Sequence, residues 1–151
     1  MLFQRIKRSD PERVFIVVKN GYDTAALTNG QPVQWDLSDA DGVNVTKPSA
    51  AFNRMCAFAG VVAETIAIAG YGLIQVYGYH SAVIVDSSTT ADIYTGCPLF
   101  MSVDAFNLEG PYLASGTTDE LYPEHRPIGC ALEAYGSVGT TGTIKAQIFA
   151  M

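Results

Sequence analysis

The chain has 151 residues, of which 48 % are hydrophobic and 16 % charged, with a net charge of −6. That length suits one domain with its own core, and the charged share falls below the roughly 25 % of an average soluble domain. An acidic body repels phosphate backbones, which argues against a nucleic-acid binder, and an exterior short of charge implies that part of it lies against a partner.

From the N-terminus, Arg5, Lys7, Arg8 and Arg13 place four of the nine basic residues in the first thirteen positions. Residues 1–13 read as an arm whose Arg5, Lys7 and Arg8 pair with acidic groups on a neighbour, the alternative being basic residues that serve solubility alone. The opening "MLFQRIKRSDPERV" lacks the apolar stretch of a secretory signal. Residues 14–151 read as a single all-β domain, a small barrel or compact sandwich. Short β-prone runs follow one another there, namely "RVFIVVK", "PVQWDL", "GVVAETIAI", "GLIQVYGY", "SAVIVD", "CPLFMSV", "IGCALEAY" and "TIKAQIF". Turn-forming clusters such as "TNGQP", "DADG", "AGYG", "TGCP" and "GSVGTTG" separate them. "SAAFNRMCAFAG" (49–60) is the one helix candidate, with Ser49 as N-cap and Gly60 as a stop; a loop is the alternative. Residues 65–85 carry no Asp, Glu, Lys or Arg, yet their glycines, Gln75, His80 and β-branched alternation favour strands over a membrane helix.

The chain repeats itself once. "TNGQPV" (28–33) matches "YTGCPL" (94–99), "AGVVAE" (59–64) matches "IGCALE" (128–133), and "GLIQV" (72–76) matches "GTIKA" (142–146). These set Gly30 against Gly96, Glu64 against Glu133 and Gly72 against Gly142, at offsets of 66, 69 and 70. Two such halves closing on each other leave few free strand edges. Residues 101–127 then form a loop-rich insertion in the second half, bearing Asp104, Glu109, Asp119, Glu120 and Glu124.

The strand at 70–80 is apolar on both sides: Tyr71, Leu73, Gln75, Tyr77 and Tyr79 alternate with Gly72, Ile74, Val76, Gly78 and His80. Its second face requires cover, expected partly from a second sheet of the same chain and partly from an identical subunit or another protein. Tyr71, Tyr77 and Tyr79 are the interface candidates, since Tyr anchors protein contacts. Core packing and a sugar-stacking platform are the competing uses of these rings, the platform lacking clustered Asp, Asn and Arg donors.

No catalytic constellation stands out. "GYGLIQ" lacks the third glycine and the helix of a dinucleotide fingerprint, and "GSVGTTGT" lacks the Lys-Ser/Thr of a phosphate loop. Glu64 and Glu133 form the carboxylate pair a glycosidase would need, but each also fits the wet end of a strand. His80 and His125 have no nucleophile context. Cys56, Cys97 and Cys130 are odd in number, with no CxxC and no zinc-ligand spacing, so free thiols are expected, with no metal and no cofactor.

The order "GVVAETIAIAGYGLIQVYGY", "TGCPLF", "PIGCALEA", "TGTIKAQIF" resembles small tailed-phage head decoration, or capsid cement, proteins. The resemblance spans roughly residues 28 to 149 and rests on glycine and apolar patterning; the insertion at 101–127 departs from the tersest members. It implies an all-β fold, β-tulip or barrel-like, and a non-enzymatic structural role. The implied place is the outer capsid surface of a virion assembled in the host cytoplasm, where such proteins bridge major capsid subunits. The partners it implies are the major capsid protein and further copies of the chain, a trimer favoured, with no nucleic acid and no membrane. The alternative is a carbohydrate-binding head fibre or adhesion module.

Overall fold

The computed structural model describes residues 12–39, 41–48, 57–87, 92–102, 105–110, 127–136 and 139–150. Among the described residues nine strands run in chain order: β1 (Arg13–Asn20), β2 (Pro32–Trp35), β3 (Asn44–Thr46), β4 (Phe58–Val62), β5 (Tyr71–Asp86), β6 (Pro98–Met101), β7 (Leu108–Glu109), β8 (Gly129–Ala131) and β9 (Thr141–Phe149). The all-β expectation holds. "GLIQVYGY" and "SAVIVD" fuse into the 16-residue β5. Phe58–Gly60, the end of the helix candidate, lie in β4, and residues 49–56 of that candidate are outside the described residues. Among the described residues no helix is long and apolar enough to cross a membrane.

The strands close into two five-membered rings that share β5. One runs β1–β3–β2–β4–β5 and back to β1; the other runs β5–β7–β6–β8–β9 and back to β5. Each strand is therefore paired on both sides for at least part of its length; along β1 the pairing with β3 covers Lys19 and Asn20, while Arg13–Val18 pair with β5 alone among the described residues. Each ring encloses a core. Val18, Leu27, Val33, Val62, Ile66 and Ile74 fill the first, and Val83, Ile93, Leu99, Leu108, Ile144 and Ile148 the second. Burying each such side chain contributes about 1.5–3 kcal/mol. β4 is buried at all five positions because it serves both barrels, sending Ala59 and Val62 into the first core and Phe58 and Val61 into the second.

The pseudo-repeat is the relation between the two barrels. Leu27 and Ile66 exchange main-chain bonds of 2.9 Å, as Ile93 and Tyr135 do at 3.0 and 2.8 Å. The Gly30 N–H donates to Val62 O at 2.8 Å and the Gly96 N–H to Ala131 O at 2.7 Å. Glu64 accepts the Leu73 N–H at 3.0 Å, as Glu133 accepts the Lys145 N–H at 2.8 Å. Leu73 and Lys145 stand 72 positions apart, so the offset drifts from 66 through 69 to 72. Gly72 and Gly142 nevertheless do one job: a Cβ would strike Ile66 at 2.5 Å in the first barrel and the Tyr135 ring at 2.4 Å in the second.

Candidate interface on the barrel exterior

β5 answers the question of its two apolar faces. Gly72, Ile74, Val76, Gly78 and His80 are all buried. On the other side Tyr71 is 68 %, Leu73 36 % and Tyr77 37 % exposed, while Tyr79 is half-buried and Gln75 buried. The expected second sheet over this side is not there: the strands curl into rings instead of stacking, so the outer face of the β5 wall carries no layer of described chain. Gln75 is buried by folding along its own strand, its Nε2 donating to Tyr77 O at 3.2 Å and Tyr79 O at 3.1 Å.

Register brings further apolar side chains to the same exterior. Val17, 64 % exposed, stands opposite Leu73, and Phe15 lies two positions along β1 at 41 %. Phe149, 38 % exposed, stands opposite Tyr77 on β9. Phe15, Val17, Tyr71, Leu73, Tyr77 and Phe149 thus form one strip across β1, β5 and β9. Sequence reasoning missed Phe15, Val17 and Phe149. "VFIVV" is apolar at every position, so its two-residue period does not say which side faces out.

Charge sits at the margin of the strip. Lys19 is opposite Tyr71, and the Arg13 guanidinium lies 5.9 Å from the centroid of the Tyr79 ring, within cation–π reach. Arg5, Lys7 and Arg8 lie outside the described residues, as do Asp104, His125 and Cys56.

The carboxylate pair is divided between the barrels, each member holding the strand that faces it. Glu133 also pairs with Lys145 Nζ at 3.0 Å. The bonds from Lys145 hold the Glu133 carboxyl below its usual range and raise the Lys145 ammonium. His80 lies within β5 rather than at its end, 5 % exposed, its Nδ1 accepting the Ala82 N–H at 3.2 Å. Burial pushes its pKa down, Arg13 adds to that, and a bond with the Val62 main chain opposes both. Cys97 and Cys130 are free, and burial raises the Cys97 thiol. Among the described residues no group of three His, Cys, Asp or Glu side chains is placed to hold a metal.

No family model matches the chain, and no curated protein matches it. Among solved structures it is similar to the head fibre gp8.5 N base of bacteriophage phi29, at 14 % identity and a TM-score of 0.48, over 92 % of this chain and 96 % of that one. A likeness at that level assigns no function.

Proposed function

We propose that this chain is a structural protein of a bacteriophage head that docks on the outer capsid surface through its β1–β5–β9 exterior, bridging major capsid subunits as decoration proteins do. The observation behind this reading is the strip of Phe15, Val17, Tyr71, Leu73, Tyr77 and Phe149, exposed on the wall that β1, β5 and β9 form. Contact with a partner at this strip runs through side chains, and aromatic and aliphatic side chains gain most from leaving water. The sequence resemblance to capsid decoration proteins supplies the partner class: the major capsid protein, with neighbouring copies of this chain beside it, as a trimer. Arg5, Lys7 and Arg8 would pair with acidic groups on that surface. A standard interface buries roughly 800 Å² per partner, and many copies over a shell add up to resistance against internal pressure. The role needs no catalytic group, and we take the chain to be a non-enzyme.

The test is co-sedimentation of the full chain with empty shells of its phage's major capsid protein. Val17→Ser/Tyr71→Ser should lower occupancy at least tenfold while leaving thermal unfolding within about 0.5 kcal/mol, the range of substitutions at exposed positions. Unchanged occupancy overturns the reading. Glycan-array binding that Tyr77→Ala abolishes would move it to the carbohydrate-binding alternative.

A further inference from the structure

The two barrels meet through a contact that joins a turn of the first to a strand edge of the second. β7 pairs with β5 only at Val85 and Asp86. On the edge it leaves uncovered, the Ile84 N–H donates to Gly30 O at 2.9 Å, and Ala82 O lies against the Gly30 turn. Gly30 and Pro32 are buried as a result. Val61, opposite Pro32 on β4, is fully buried in the second core.

Both halves of this contact recur elsewhere in the chain, uncovered among the described residues. On the second barrel the Gly96 turn has φ +86° against +88° at Gly30, yet Gly96 and Pro98 are exposed, and Cys130, opposite Pro98 on β8, is only half-buried. On the first barrel Asn20 is the counterpart of Ser87. The Asn20 N–H donates to Gly70 O at 2.9 Å and its carbonyl accepts the Ala69 N–H at 3.1 Å, as Ser87 does with Thr140 O at 3.4 Å and the Gly139 N–H at 2.9 Å. That offset of 67 positions makes Val17 the counterpart of Ile84 and Ile16 that of Val83. The Lys19 N–H turns to Val43 O, so the Val17 N–H, two positions back, faces the same side, where no strand pairs with β1 among the described residues. Ile16 is half-buried where Val83 is fully buried, as befits a wall that lacks this cover.

We propose that a second copy of this chain supplies the cover: the Gly96 turn of one copy seats on the β1 edge of the next, where the Val17 N–H donates to Gly96 O and Pro98 and Cys130 leave water. The intermolecular contact thereby repeats the one that already joins the two barrels within the chain. It joins unlike surfaces, so each copy offers one of each and copies follow one another head to tail, into a ring if the rotation closes and a filament if it does not. An open strand edge is a template for unspecific pairing, and this seat occupies it. The contact runs along the edge of the wall, so it stands apart from the outward side chains assigned to the capsid.

The test is sedimentation velocity of the full chain alone, with no capsid protein present. Association that grows with concentration is expected. Pro98→Arg, which charges the exposed turn face, and Val17→Pro, which removes the donor from the uncovered edge, should each weaken it by at least an order of magnitude. Mixing the two variants should restore a single contact and give a one-to-one pair, because the first keeps its β1 edge and the second its Gly96 turn; that pair also shows both to be folded. A wild-type chain that stays monomeric at millimolar concentration overturns the proposal. Association that survives Pro98→Arg overturns it equally, because the contact then lies elsewhere, as does a mixture that stays monomeric while both variants keep the wild-type circular dichroism.

Discussion

The two barrels follow one plan of pairing and differ in what they turn outward. Where the first presents Tyr71 and Leu73, the second presents Thr143 and Lys145 at the positions 72 residues on, all four exposed. The second barrel shows that the fold tolerates a polar exterior at these positions and even gains an ion pair there, Lys145 with Glu133. The apolar exterior of the first barrel is therefore no requirement of folding. It is a property of the surface, and that difference is why the β1–β5–β9 strip is assigned to docking.

The sharpest way to break the parallel lies in its turn glycines. Gly30 and Gly96 are equivalent and nearly identical in backbone, at φ +88° and +86°. β5 runs on past the first barrel and lays Ala82 against Gly30, so that a Cβ there would come within 2.1 Å of Ala82 O, whereas at Gly96 no atom of the described residues lies within 4 Å. Gly30→Ala should cost about 4 kcal/mol or more. Gly96→Ala should cost only the left-handed backbone penalty of about 1–2 kcal/mol. Urea unfolding of the two variants measures both, and equal costs would mean that the Gly30 turn is not packed on β5.

A smaller effect separates the barrels by pH. Register shifts between Val14 and Phe15 in the first barrel and between His80 and Val83 in the second, and Val14 and His80 are 66 positions apart. The irregularity of the second barrel thus holds a buried imidazole, while that of the first has the aliphatic Val14. His80 is held neutral in the folded chain, its pKa lowered from 6.5, so the unfolded chain takes up the proton first as pH falls. Stability should therefore be intact above pH 6.5 and fall below it by up to about 1.4 kcal/mol per pH unit, levelling off below the folded pKa. His80→Val, copying Val14, should flatten that slope whatever it does to stability at pH 8; an unchanged slope would assign the dependence to other groups.

The glycines made the repeat legible before any fold was known, because Gly30, Gly72, Gly96 and Gly142 stand where neighbouring chain or side chains crowd the backbone, or where φ is positive. β3 and β7 were not legible. At three and two residues they are too short for a period, and the rings supply their pairing. The fusion of two runs into β5 was hidden by the bulge near His80, where the alternation breaks. The exposed strip is half legible: Tyr71 and Tyr77 stand out by residue type, while Val17 and Phe15 look like core until register places them outside.

The most direct test is hydroxyl-radical footprinting of the chain, free and bound to capsid shells. Protection of Phe15, Tyr71, Tyr77 and Phe149 on binding is the expected result. Protection confined to the second barrel's exposed Tyr94 and Leu132, with the first-barrel strip still reactive, would contradict the assignment of the docking face.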